Sequence, residues 1–281
     1  MATSAGTDLH AGAKAFNLQA NAYELGRPSY PDEAVQAALQ DTGLLNKNEA
    51  SVLDLAAGTG KFTRLLAAQP SLHVSAIEPA KGMREAFEQN QPSWNLPRPV
   101  TIKDGSATSL PFGDGTFDAV FAAQAFHWFA SEAALREIHR ILKRSGHIVL
   151  IWNREDDQIP WQKELLQLFE PHSQHIPQYW QGKWKDAFKN DFARNSLGVK
   201  DVEAQSKFFR DSMRMTPDTL WARVLSKSYI SAMDAQQQAK IKQSVDGILQ
   251  EHQPSKHGTG SQDDEFEVVV KTELFICQRK D

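Results

Sequence analysis

The chain has 281 residues, 41% hydrophobic and 23% charged, which suits one large globular domain whose core needs no disulfide or metal. A formal net charge of −4 argues against nucleic acid as partner, and a single cysteine, Cys277, excludes an internal disulfide. No stretch approaches the ~20 apolar residues of a membrane span, and the opening residues lack a secretory apolar run. The expectation is a cytoplasmic protein with no membrane span.

Helix and strand patterns alternate through residue 153. Residues 31–45, PDEAVQAALQDTGLL, read as a helix that starts at Pro31. SVLDLA (51–56) reads as a short buried strand, and GKFTRLLAAQ (60–69) as the helix after it. HVSAIEP (73–79) is a second strand, followed by a helix over 80–90, and PVTIKDG (99–105) is a third. FDAVFAAQAF (117–126) begins as a fourth strand and leads into a helix over 131–146. Ser131 is the expected N-cap of that helix, Gly146 its C-terminal stop, and Leu135, Ile138, Ile141 and Leu142 its buried face. HIVLIWN (147–153) is the fifth strand. Such alternation predicts an α/β fold with a mostly parallel sheet covered on both faces, which binds ligands beyond the carboxyl ends of its strands.

From Arg154 the pattern changes. Residues 155–200, rich in Gln, Trp and His, predict irregular helices forming a cap. A strand over 202–215, a helix over 216–233 capped by Thr216, a polar loop over 252–265 and a last strand over 266–280 complete the chain.

The turn after the first strand carries Gly58 and Gly60. The dinucleotide pattern requires glycine or alanine at position 63, where Thr63 stands, and the lysine of GTGKFT is wrongly spaced for a nucleoside-triphosphate loop. Asp54, at the end of the strand, is unwelcome beside a pyrophosphate and suits a cationic ligand. Glu78 follows Gly58 by twenty residues at the end of the second strand, where a carboxylate can accept both hydroxyls of a ribose.

Together with Leu110-Pro111-Phe112 and Phe117-Asp118, the run Asp54-x-Ala56-x-Gly58-x-Gly60 and Glu78 resembles the class I S-adenosylmethionine-dependent methyltransferases. YELGRPSYP (23–31) and HWF (127–129) are further similar to small-molecule enzymes of the trans-aconitate methyltransferase type and their fungal relatives. The resemblance covers residues 20–153 in register and implies a Rossmann-like seven-stranded sheet with an antiparallel last strand. It also implies one domain over 1–281, with residues 1–30 as a lid and 155–200 as a cap insertion.

The implied cofactor is S-adenosyl-L-methionine, leaving S-adenosyl-L-homocysteine. By resemblance Asp54, Ala56, Ala57, Gly58 and Gly60 hold its methionine end, Ala56 replacing the family's first glycine. Glu78 takes the ribose, while Pro79 and Met83 pack on the adenine. Ser106 stands where the family often has an acid, so its hydroxyl or the Ala107 amide reads the adenine amino group. Gln124 lies beside the sulfonium, and Tyr23 and Arg27 close over cofactor and substrate.

Methyl transfer from a sulfonium is an in-line displacement, and a base is needed only if the acceptor carries a proton. His127 is the candidate general base; the alternative is a histidine that hydrogen-bonds a neighbouring loop. Arg27 suits a carboxylate clamp or a surface ion pair, and Trp128 is pocket wall or packing. Trp152, Trp161, Trp180, Trp184 and Trp221 form either an aromatic substrate wall or the cap's own core. His172, His175 and Glu170 lack a further metal ligand, so no metal is expected.

The expected activity is methyl transfer to a small-molecule acceptor, by O-methylation of a carboxylate or hydroxyl first and N-methylation second, in a monomer or homodimer. DNA-adenine chemistry is disfavoured because AQAF (123–126) replaces the Asp/Asn-Pro-Pro-aromatic motif, and a nicotinamide enzyme by Thr63 and Asp54. A non-catalytic regulator with a retained cofactor fold, or the fold recruited to another reaction, is the alternative.

Overall fold

The computed structural model describes residues 27–173, 175–252 and 265–280. Strands β1 (Ala50–Leu55), β2 (Leu72–Ile77), β3 (Thr101–Lys103), β4 (Phe117–Ala123), β5 (Leu142–Glu155), β6 (Ser206–Met215) and β7 (Phe266–Gln278) form one sheet. Their order is β3-β2-β1-β4-β5-β7-β6, parallel from β3 to β5, with β7 antiparallel to both of its neighbours. This is the mostly parallel α/β sheet that the alternating pattern predicts, in the Rossmann-like seven-stranded order that the resemblance implies.

Period-two alternation sends strand side chains to two faces. Val52, Ala119, Phe121, Val149 and Ile151 pack with α1 (Asp32–Asp41) and α2 (Thr63–Ala67) through Val35, Leu39, Phe62 and Leu66. Leu53, Val120, Ile148 and Leu150 face the other way, toward Leu135, Ile138 and Ile141 of α4 (Glu132–Ile141). Helix α3 (Lys81–Asn90) follows β2, and its Phe87 packs with Ala76 and Val100.

Ser131 caps α4, its hydroxyl accepting from Ala134 N at 3.2 Å. The far end of that helix differs from the expectation: it stops at Ile141, not at Gly146. Leu142 already pairs with Phe117 of β4, and the Arg279 guanidinium donates to the His139 and Leu142 carbonyls. Gly146 is needed for close packing, since a Cβ there would meet Lys143 O at 2.9 Å and Asp118 O at 3.1 Å.

Beyond β5 lie α5 (Pro160–Phe169), α6 (Asp191–Ser196), α7 (Val202–Gln205), α8 (Pro217–Leu225), α9 (Ser228–Ser231) and α10 (Ala235–His252). The stretch expected to be one helix over 216–233 breaks after Leu225, although Thr216 does cap its start in a reciprocal pair with Thr219. The stretch 155–200 divides its apolar groups. Trp161, Leu165 and Phe169 of α5 join α8 and α10, whereas Trp184, Phe188 and Leu197 join the main core against the sheet. Most of the polar loop over 252–265 lies outside the described residues.

One buried charge cluster holds α8 and α9 against the end of β5. Glu155 accepts from Arg223 Nε at 2.9 Å and Lys227 Nζ at 3.0 Å, with all three side chains almost wholly buried. The two cations hold the Glu155 carboxyl well below its ordinary range against the opposing effect of burial. Burial pushes Lys227 down to about 8, with Glu155 resisting. Removing the anion strands two buried cations. Glu155→Gln is expected to lower unfolding free energy by ~3–5 kcal/mol at neutral pH, read by urea melts. A change under about 1 kcal/mol would mean that the cluster is not holding these helices, being no more than a surface pair is worth.

Candidate functional site

Chain connections diverge between β1 and β4, which are adjacent in the sheet, so a crevice is expected beyond their carboxyl ends. The backbone there is unusual. Ala56 (φ 61°), Gly58 (φ 59°), Gly60 (φ 89°) and Gln124 (φ 56°) all adopt the left-handed region. For Ala56 and Gln124 this carries strain, of the kind that clusters at functional sites.

The glycines differ in purpose. A Cβ on Gly58 would meet nothing within 4 Å, so this turn presents bare backbone to open space. A Cβ on Gly60 would lie 2.2 Å from the Trp94 indole and 2.8 Å from Phe87. Gly60 is therefore required by its φ and by the packing behind the turn.

Glu78 organises the turn. Its Oε2 accepts from Gly58 N at 2.9 Å and its Oε1 from Ala80 N at 2.8 Å, so one carboxylate joins the ends of β1 and β2. Burial raises its pKa, and the two N–H bonds and Arg84 oppose the rise. Arg84 donates to the carbonyls of Glu78 and Pro79 and pairs with Asp104 at 3.2 Å. Pro79 is exposed and Met83 buried beside this strand end.

Asp54 is fully buried. Thr63, the residue that breaks the dinucleotide pattern, donates to its Oδ2 at 2.6 Å, while Oδ1 has no partner. Burial raises the Asp54 pKa to about 7, with the Thr63 bond opposing and the Glu78 charge adding to the rise. An orphaned buried acceptor suits a cationic donor. Ala107 is buried, and the Ser106 hydroxyl turns back toward Thr108 Oγ1 at 3.1 Å instead of pointing away from its own turn.

Across the crevice, Gln124 is fixed by two bonds: its N–H donates to Ile151 O at 2.8 Å and its Nε2 to Asn153 O at 2.6 Å. Asn153 in turn donates to Ser29 O at 2.9 Å, and Lys61 Nζ donates to Arg27 O at 2.7 Å. These bonds strap the segment before α1 across the strand ends. The Arg27 side chain reaches Ser226 O at 3.2 Å. Tyr23 lies outside the described residues.

His127 sits in the turn after β4 (Phe126–Trp128), half-buried, its ring 5.2 Å from that of the half-buried Trp128. Its Nδ1 accepts from the Trp152 indole N–H at 3.2 Å. An indole nitrogen only donates, so the neutral imidazole must carry its proton on Nε2. Burial, aided by the Arg27 charge, pushes its pKa down to about 3. These features contradict the expected general-base role: the free nitrogen already bears a proton.

Trp152 is also corrected. It is fully buried, stacked on Tyr179 at 4.9 Å between ring centroids and packed on Trp184 at 4.4 Å, so it cannot wall an open pocket. Trp161 and Trp184 are likewise core, and Trp180 and Trp221 pack against the α5–α8–α10 cluster. Glu170, expected near His172 and His175, pairs with Arg154. A surface cleft of about 540 Å³, lined by residues such as Gly182, Lys185, Phe188 and Lys200, shares no residue with the strand-end site.

Arg84 and Asn153 carry no motif signal, and Thr63 and Lys61 stand out in the sequence only as departures from nucleotide-binding motifs; each acts through a partner fixed only by folding.

Comparison with known proteins follows the same strand ends. A model of the methyltransferase-domain family matches residues 53–150. An uncharacterised methyltransferase-like protein of Schizosaccharomyces pombe is 30% identical over 236 residues, covering 84% of this chain and 86% of its own. An uncharacterised methyltransferase of Mycobacterium tuberculosis is 31% identical over 245 residues, covering 87% and 89%. Among solved structures, a putative type II methyltransferase from Anaeromyxobacter dehalogenans shares the fold, with a TM-score of 0.59 at 18% identity over 90% of this chain and 97% of its own.

Two outcomes test this local reading. Ala56→Gly, relieving left-handed strain, is expected to stabilise the protein by about 1 kcal/mol, seen as a raised melting temperature; an unchanged or lower value would contradict strain at that residue. The raised Asp54 pKa contributes stability that is full below the ordinary carboxylate pKa and lost as pH rises toward about 7. Asp54→Asn is therefore expected to gain stability relative to the parent as pH rises through that window in cofactor-free melts. A pH-independent difference would contradict the buried, orphaned carboxyl.

Proposed function

The chain belongs to the methyltransferase family, whose methyl donor is S-adenosylmethionine, and on that premise we propose that it methylates a small-molecule acceptor. One observation carries this reading: two buried carboxylates, Asp54 and Glu78, flank an open left-handed turn at the carboxyl ends of adjacent strands. The residues fit the cofactor. Asp54 Oδ1 is an unpartnered acceptor for an ammonium, and each Glu78 oxygen keeps a lone pair for a ribose hydroxyl after receiving its N–H. Ala56, Ala57, Gly58 and Gly60 offer backbone to the methionine end. Pro79, Met83, Ser106 and Ala107 border the adenine, and Gln124 lies toward the sulfonium. When bound, S-adenosylmethionine supplies an electrophilic methyl group on an excellent leaving group.

The protein's contribution is alignment and exclusion of water. Gln124, which donates to two backbone carbonyls, and the strapped segment that includes Arg27 supply rigid walls on the β4 side. Arg27 and Trp128 face the acceptor in this reading, with Tyr23 and the rest of residues 1–30 closing over it, and the chain acts as one domain over 1–281. The acceptor atom is an oxygen of a carboxylate or hydroxyl first, and a nitrogen second. The net charge of −4 supports a small molecule over a nucleic acid, and in this reading the protein works in the cytoplasm as monomer or homodimer.

Isothermal titration with S-adenosylmethionine, S-adenosylhomocysteine and NAD tests the cofactor assignment. Saturable binding of the first two alone is expected, and Glu78→Ala is expected to weaken it by about 10- to 100-fold, the worth of charge-assisted hydrogen bonds. Unchanged binding in that variant would remove Glu78 from the site. Labelled methyl transfer to panels of acids, phenols and amines then tests catalysis; tight cofactor binding with no transfer would favour a non-catalytic protein.

A further inference from the structure

β4 and β5 run side by side, with Ala123 opposite Ile151, so Trp152 lies next to the turn that carries His127. The indole has no freedom to leave. It is wholly buried between Tyr179 and Trp184, and the Tyr179 hydroxyl is itself bonded to the Glu273 carboxylate. Its N–H is committed to His127 Nδ1 at 3.2 Å. The imidazole proton is thus on Nε2, at the other edge of the ring, and Nε2 makes no hydrogen bond to any described residue. A second proton would have to enter at Nδ1, setting N–H against N–H. The charge of Arg27, from the segment before α1, opposes it too, and among the described residues no carboxylate forms an ion pair with the ring.

We infer that Trp152 is a positioning residue that fixes His127 as a hydrogen-bond donor, so that the site selects acceptors bearing no proton on the reacting atom. The functional half of this inference rests on the methyl-transfer reading; the tautomer does not. An anionic oxygen forms its bond to the methyl carbon as the methyl–sulfur bond breaks, the electron pair leaving with sulfur. No proton is released and no base is required. An alcohol would have to shed a proton that His127 is held from accepting, whereas the Nε2–H can orient an anionic acceptor through an oxygen lone pair.

The test is a long-range proton–nitrogen correlation spectrum of the ¹⁵N-labelled full chain, with His127 assigned by its loss in His127→Gln. The expected ring is the Nε2–H form, unchanged from about pH 5 to 8, the window in which an ordinary histidine titrates. An Nδ1–H form, or titration in that window, would overturn the inference without use of cofactor or acceptor. Trp152→Phe keeps an aromatic ring in the stack and removes the N–H; the His127 ring is then expected to populate the Nδ1–H form, and a ring that stays wholly in the Nε2–H form would show that Trp152 is not what fixes it. Should that variant not fold, the parent spectrum alone still decides the tautomer. For selectivity, carboxylic acids paired with their corresponding primary alcohols are offered with labelled S-adenosylmethionine. Transfer confined to the acids supports the inference, transfer to an alcohol at a comparable rate sinks it, and transfer to neither counts against methyl transfer while the spectrum still judges the tautomer.

Discussion

The Glu78 carboxylate, accepting one backbone N–H from Gly58 and one from Ala80, is the constraint on which the rest of the site depends. It couples a turn that exposes bare backbone to the start of α3, and it does so from a buried position where water cannot replace either bond. It adds a second tie to the Ala57 N–H, which donates to Ile77 O at 3.0 Å, and so fixes the Gly58 amide against the end of β2. The second buried carboxyl, Asp54, is anchored on one oxygen by Thr63 and left open on the other. Together they make a strand-end crevice lined by acids, suited to a ligand that is cationic at one end and hydroxylated at the other.

Binding sites of this kind are maintained at a cost in stability. Ala56 and Gln124 hold left-handed backbone without the freedom of glycine, and Asp54 is buried with half of its hydrogen-bonding capacity unused. The surrounding structure over-determines them. Parallel ladders from β3 to β5 fix the strand ends, and the Glu155–Arg223–Lys227 cluster and the Asn153–Ser29 bond bring the later helices and the early segment over the same edge. His127 belongs to this design in its own way, since a neighbouring indole decides which of its nitrogens bears the proton.

The parallel sheet, the Ser131 and Thr216 caps, and the Asp54–Gly58–Glu78 constellation were legible because each is written in short-range spacing. The rest was set by contacts distant in sequence. Helix α4 ends where Leu142 finds Phe117 and where Arg279 reaches back to its carbonyls, so no local stop signal records it. Helix α10 leaves little signal in the sequence because its buried face is only Ile241, Val245 and Leu249 in a glutamine-rich run. His127 reads as a base in isolation; Trp152, twenty-five residues on, makes it a donor. The contact of Gly60 with Trp94 is likewise invisible in the motif.

The most direct measurement is amide hydrogen exchange of the full chain with and without saturating S-adenosylhomocysteine. The account expects new protection at Ala57, Gly58 and Ala80, where Glu78 gathers the strand ends, and in the turn after β4. Protection confined to the Gly182–Glu203 cleft, or none at Gly58, would contradict it.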